Sequence, residues 1–245
     1  KDKKNIIGGI QIFKFKNSSI FFDVGKPPDK GFSNSYQSGP LSFEYYLDGR
    51  KIITNCGFGS NISPKAELLS RLTSAQSTLT LNDNSVSKFE RNKLINKIFG
   101  NSIKNTFKIS DLDFIENKDQ IQSVASHNGY EKNFGCIYKR KISIDKSTKN
   151  LSGCDELIKK KDGRPINYSF RFHLYPGLNA VKTMGGNSVL IQLSKNKSLI
   201  FTINNEPILV EKSIFLGGNK ILDSVCITIS GNLVNKNKTI HWEIK

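Results

Sequence analysis

The sequence predicts an all-β fold, a large antiparallel β-sandwich of two broad sheets. Three observations point there. Short runs of β-branched and aromatic residues alternate with Gly, Asn, Lys and Ser punctuation at intervals of roughly eight to twelve residues. Two favoured hairpin dipeptides, Asp48-Gly49 and Asn128-Gly129, sit between such runs, because both members of each pair tolerate φ > 0. Helical spacing is confined to two short segments, so the strand–helix–strand alternation of a parallel fold is missing. The strands are too many for an immunoglobulin-sized unit, and 245 residues fit one large all-β domain over residues 1–245.

Taken in order, Ile10–Phe15 and Ser19–Val24 flank Lys16-Asn17-Ser18 as a hairpin, and Gly25-Lys26-Pro27-Pro28 breaks the chain into a polar loop reaching Pro40. Leu41–Leu47 and Arg50–Thr54 form a second hairpin around Asp48-Gly49. Ala66, Leu69 and Leu72 give helical spacing within Pro64–Leu72, and Ser77–Leu81 alternates as a strand. Asn82–Lys118 is polar, with helical spacing over Lys88–Phe99 that suits an excursion from the sheets. A hairpin follows: Gln120–Ser126 runs in, His127-Asn128-Gly129-Tyr130 turns, and Cys136–Ile144 runs out carrying Lys139-Arg140-Lys141. Asn150–Leu157, Tyr168–Leu174, Asn179–Thr183, Ser188–Leu193, Leu199–Asn204, Ile208–Phe215, Asp223–Ser230 and Thr239–Ile244 complete the strands.

The net charge is +16. A positive field draws in polyanions, but abundant Lys, Asn and Ile also fit a bias toward A·T-rich codons, and the lysines fall mostly in turns. The six arginines, Arg50, Arg71, Arg91, Arg140, Arg164 and Arg171, are therefore the better candidates for anion contacts. Nucleic acid is the weakest partner, because neither a basic helix nor an aromatic platform motif accompanies the charge. Cys56, Cys136, Cys154 and Cys226 show no CxxC spacing and sit in or beside apolar runs, as small core residues do. No apolar run reaches membrane-spanning length, so no membrane partner is expected. The opening KDKKNIIGG is no signal peptide and carries no initiator Met, which suggests a domain of a longer parent.

Serine-hydrolase, zincin and nucleotide-binding motifs are missing. Of three histidines, His241 stands beside Trp242 in a terminal strand and reads as structural. Arg171, His173 and Tyr175 share one strand face, either a solvated surface or a groove lining. His127 and Tyr130 stand within one turn, close enough to meet the same ligand.

Several segments in order, LSFEYYLDGRKIITNCG, SRLTSAQSTLTLND, SHNGYEKNFGCIYKRKISI, SFRFHLYPGLNA and the terminal ITISG…HWEIK, resemble the C-terminal β-sandwich domain of the heparinase II/III-like polysaccharide lyases. The resemblance runs from about Gly9 to the end. It implies a bacterial parent, periplasmic or cytoplasmic, in which a helical toroid precedes the sandwich and an acidic, uronate-containing glycan lies between them. The implied reaction is β-elimination: loss of the uronate C5 proton and expulsion of the O4 oxygen. By resemblance Tyr130 is the sandwich acid/base, and Gln76 in Ala75-Gln76-Ser77-Thr78 replaces the family histidine; with His127 beside Tyr130, these three are the catalytic candidates. Glutamine hydrogen-bonds but shuttles no proton. His173, Arg71, Arg171 and Arg140 are the implied substrate contacts. The structural zinc of some members would fall near Thr78, His127 and His173, and a threonine there argues against it. The implied picture has Tyr130, His127 and His173 along one wall of a cleft. A binding or accessory module that has lost turnover is the alternative, and a sandwich that only braces its helical partner is a third reading.

Overall fold

A computed structural model describes residues 5–90, 92, 94, 96, 100–161, 163–204, 206–234 and 237–245. In chain order the first strands are β1 (Ile6–Ile7), β2 (Ile10–Phe15), β3 (Ser18–Asp23), β4 (Phe43–Leu47), β5 (Arg50–Thr54) and β6 (Leu79–Leu81). The central ones are β7 (Ile109–Glu116), β8 (Gln120–His127), β9 (Cys136–Asp145), β10 (Leu151–Lys159) and β11 (Ile166–Leu174). The chain closes with β12 (Asn179–Lys182), β13 (Ser188–Ser194), β14 (Lys197–Ile203), β15 (Ile208–Phe215), β16 (Leu222–Leu233) and β17 (Lys238–Ile244).

One sheet runs β1-β2-β3-β4-β5-β11-β16-β15, with β6 also paired to β11. The other runs β12-β13-β14-β17-β10-β9-β8-β7. The paired strands are antiparallel throughout. The expected two-sheet sandwich is therefore the observed one. The alternation read from sequence decides the faces: in β3, Ile20 and Phe22 are buried between the sheets while Phe21 and Asp23 look outward. Phe43 and Phe201 both stack on Trp242, and Phe172 meets its ring edge-on, across the middle of the core.

Polar groups are also sealed inside. Arg140 of β9 and Asp155 of β10 are register partners, and both are fully buried. Arg140 Nε donates to Asp155 Oδ1 at 2.6 Å and Nη2 to Oδ2 at 3.1 Å; Tyr138 Oη and Trp242 Nε1 donate to the same carboxylate at 2.6 and 2.8 Å. The remaining nitrogen, Nη1, donates to the carbonyls of Leu41 (2.9 Å) and Ser77 (2.8 Å). A buried charge pair is tolerable only when its hydrogen-bonding capacity is met in this way.

Two expectations need correction. Asp48 and Gly49 both take positive φ (52° and 73°), as the tight hairpin turn requires, but Asn128-Gly129 makes no such turn. There the connection from β8 to β9 contains a helical turn, Glu131–Phe134, closed by Gly135 in the left-handed region at φ 62°. Asn128 opens that turn, its carbonyl accepting from Glu131 N and its Oδ1 from Lys108 N. The second correction is β7, hidden in a stretch that reads as polar. It is an edge strand with a register shift between Ser110 and Asp113, so its apolar alternation is broken. The helix α1 (Pro64–Ser70) is capped by Ser63, whose hydroxyl accepts from Ala66 N. The helical spacing over Lys88–Phe99 falls largely on residues 91, 93, 95 and 97–99, outside the described residues. No described helix is long and apolar enough to cross a membrane.

Candidate functional site

The outer face of the β1-to-β15 sheet carries a cleft of about 580 Å³. Its floor is the outward side of β3 and β4, where Phe21, Asp23 and Glu44 alternate with buried residues, and its rim is the loop between those strands. Backbone bonds fasten both ends of the loop, Leu41 N to Asp23 O and Asp23 N to Ser42 O, each at 2.9 Å. One buried arginine holds its middle and another its far end. Arg71 Nε donates to Tyr36 O at 3.0 Å and Nη2 to Ser33 O and Asn101 O at 2.8 Å, while Arg140 reaches Leu41 O as described. Gln37 Nε2 ties the loop to Gly57 O at 2.7 Å.

Gln76 forms part of the cleft wall. Its Nε2 donates to Ser70 O at 2.7 Å, which fixes the amide and turns Oε1 away from that carbonyl. Gly39 faces it, and a Cβ there would lie 2.9 Å from Gln76 Cγ, so only glycine admits the glutamine at this depth. Asn55 supports the same segment, its Oδ1 accepting from Ser77 N at 2.8 Å.

Two titratable groups in the cleft keep unused capacity. Asp23 Oδ1 accepts from Gly25 N at 3.0 Å, and burial pushes the carboxyl up to about 7, with that bond partly offsetting it. The hydroxyl of Tyr36 is buried with no hydrogen-bond partner among the described residues. Burial and then the charge of Asp23 drive its ionisation far upward, so it remains a phenol. Glu44 is committed elsewhere, to Lys51 Nζ at 2.8 Å and Thr54 Oγ1 at 3.2 Å. The arrangement can therefore exchange a proton at Asp23 near neutral pH and offer hydrogen bonds from Tyr36 and Gln76. Lys26 is the basic residue of the lining, so this is not a basic groove.

The residues singled out by sequence are scattered. Gln76 lines the cleft; the others do not. Tyr130 and His127 do meet, with ring centroids 5.7 Å apart, but inside the sandwich. Tyr130 Oη is 2.9 Å from Leu79 O and 3.1 Å from Asn84 O and donates there. His127 Nδ1 accepts from Gly129 N at 3.1 Å, while Nε2 is buried with no partner among the described residues. Burial lowers this imidazole to about 3 and keeps it neutral. The shared wall of Tyr130, His127 and His173 is thus not formed, because the first two rings pack on Phe107, Phe134 and Tyr138 in the core. Arg140 and Arg71 spend their guanidinium groups on internal carbonyls or Asp155. Arg71 Nη1, like His127 Nε2, is left without a described partner.

Arg171 and His173 share one face, as predicted, and line a second cavity of about 540 Å³. Arg171 Nη1 donates to Thr80 Oγ1 and Nη2 lies 3.4 Å from Asp83. Tyr175 lies apart from them and packs on Phe215. The residues at the expected zinc position do not fit that metal: Thr78 Oγ1 donates to Pro40 O at 2.9 Å, His127 is in the core and His173 is in the second cavity. Among the described residues, no group of three His, Cys, Asp or Glu is placed to hold a metal ion. Asp23 and Tyr36 were not legible as site residues, since one ends an ordinary alternating strand and the other sits in a polar loop. The one signal for Asp23 was its outward register beside buried Ile20 and Phe22.

Solved structures share this fold. Heparan sulfate lyase HepC from Pedobacter heparinus superposes with a TM-score of 0.75 at 15% identity, over 96% of this chain and 34% of that one. A structure of heparinase III gives 0.69 at 17% identity, again over 96% of this chain and 34% of the other. The chain thus spans about a third of the length of these neighbours. No curated protein matches it by sequence. The profile of the family described as Heparinase II/III-like, C-terminal, matches residues 7–243, and the chain belongs to that family.

Proposed function

We propose that this domain forms one side of a polysaccharide lyase active site, its outer-face cleft receiving an acidic, uronate-containing glycan against a helical domain of the same parent. The observation that carries the reading is that Gln76, at the position matched to the family's sandwich histidine, shares the cleft with Asp23 and Tyr36. In β-elimination the C5 proton passes to a base, the C4–O4 bond breaks, a C4=C5 double bond forms and the leaving oxygen takes up a proton. A uronate carboxylate entering the cleft raises Asp23 further, because like charges disfavour ionisation. That favours the protonated carboxyl and makes Asp23 the acid that protonates the O4 oxygen. Gln76 and Lys26 hydrogen-bond the sugar carboxylate or leaving oxygen, and Tyr36 orients a hydroxyl. The C5 base comes from the helical domain, so the sandwich alone is inactive. Tyr130 and His127 serve the core.

The test is the longer protein assayed on heparan sulfate, alginate and other uronate polymers by the ultraviolet absorbance of the unsaturated product. Asp23→Asn lowers kcat by roughly 100-fold or more, the usual scale for a general acid. Product formation that is unchanged in Asp23→Asn removes that role. The second reading, a glycan-binding module without turnover, is favoured by Gln76 standing where a proton carrier is expected. Tight glycan binding with no product from any polymer selects it.

A further inference from the structure

The second cavity, lined by Cys56, His173, Ser213 and Cys226, is separate from the cleft and holds a different chemistry. His173 Nε2 lies 3.0 Å from Ser74 O. A carbonyl only accepts, so Nε2 carries the hydrogen of the neutral ring and Nδ1 is left as a lone pair. That lone pair faces Ser213 Oγ at 3.0 Å and Cys56 Sγ at 3.4 Å. The thiol is held there by its own backbone: Cys56 N donates to Ala75 O at 2.8 Å, and Cys56 O accepts from Leu216 N at 2.5 Å. Thiol, imidazole and orienting carbonyl thus stand in the order that nucleophile, base and orienter require.

Cys154 is the internal comparison. It is as exposed as Cys56, 5% each, and it too borders a surface pocket. Its sulfur, however, faces the Glu156 carboxylate at 3.8 Å, and burial together with that charge pushes the thiol up to about 11. Burial does the same to Cys136 and Cys226. Only Cys56, among the four, has an imidazole as acceptor.

We propose that Cys56 is a histidine-paired reactive thiol, a covalent modification site that takes small uncharged electrophiles through this cavity. The wall of Leu69, Leu72, Ala75, Ile214 and Leu216 suits an uncharged reagent. At the rim Arg171 and Lys212 offset Glu211 and Asp223, so the mouth selects neither sign strongly. With iodoacetamide as the probe, the thiol proton passes to His173 Nδ1, a sulfur–carbon bond forms as the carbon–iodine bond breaks, and iodide leaves.

The test treats the folded chain with limiting iodoacetamide and maps the modified cysteines by mass spectrometry. Cys56 is expected to react at least tenfold faster than Cys154, Cys136 or Cys226. His173→Gln slows Cys56 at least tenfold, while Ser213→Ala, which frees the lone pair for the thiol, does not slow it. Equal rates at Cys56 and Cys154 overturn the proposal. So does a His173→Gln variant with native circular dichroism and an unchanged Cys56 rate. Should that variant unfold, the rates of Cys56 and Cys154 in the parent decide alone, since the two are equally exposed.

Discussion

The interior cluster and the outer cleft contain similar chemical groups with opposite degrees of satisfaction. Inside, the Asp155 carboxylate receives four donors from Arg140, Tyr138 and Trp242. In the cleft, the Asp23 carboxyl receives one backbone N–H, and the Tyr36 hydroxyl beside it has no described partner. A carboxylate whose bonds are all closed locks Arg140 within its own sheet and aims the remaining nitrogen at Leu41 O and Ser77 O; one with bonds left open can still answer to a ligand. The two regions are also coupled, because Arg140 reaches out of the cluster to Leu41 O and Ser77 O, which flank the cleft wall. The interior cluster thereby sets where Gln76 stands.

The largest effect should come from opening the closed cluster. Asp155→Ala leaves Arg140 as an unpaired buried charge and is expected to cost about 3–5 kcal/mol, read as a lowered urea midpoint. The isosteric Asp155→Asn keeps the packing but not the charge. If it is as stable as the parent, the charge of Asp155 is not what stabilises the cluster.

The pH dependence of stability separates the regions next. His127 is lowered from 6.5 to about 3 in the fold, so its contribution is full above pH 6.5 and is lost as pH falls toward 3. Asp23 is raised from 3.8 to about 7, so its contribution is full below pH 3.8 and is lost as pH rises through 7. His127→Phe should therefore flatten the acid limb. Asp23→Asn should flatten the slope between pH 4 and 7, by about 1–2 kcal/mol once solvent screening at the open cleft is allowed for. Denaturant midpoints measured across that range check both, and identical slopes in parent and variants would dissolve the distinction.

The smallest effect is expected at Tyr130→Phe. Removing a hydroxyl that serves two carbonyls costs about 1–2 kcal/mol and should leave glycan affinity unchanged. A large loss of affinity with native stability would return Tyr130 to the site.

Much of the fold was legible because alternation and turn chemistry are local. Ile20 and Phe22 against Phe21 and Asp23, or Asp48-Gly49 at its turn, needed no knowledge of distant residues. Strand β7 was missed where a bulge and an edge position erase that alternation. Asn128-Gly129 misled because Gly135, seven residues after Asn128, took the left-handed position instead. The site was far less legible. Gln76 and Tyr130 were proposed through the family resemblance, His127 from its place in the same turn and the arginines for their match to anions, and the structure brings only Gln76 of these to the cleft.

The amino-acid order by itself determined which residues alternate between core and surface, where the chain turns, and to which family the domain belongs. Only the tertiary structure decided which polar side chains are enclosed and which face a cavity. The reason is physical: periodicity is written in neighbours along the chain, whereas burial and hydrogen-bond satisfaction depend on partners such as Asp155 for Arg140, or Leu79 for Tyr130, that the fold brings from elsewhere.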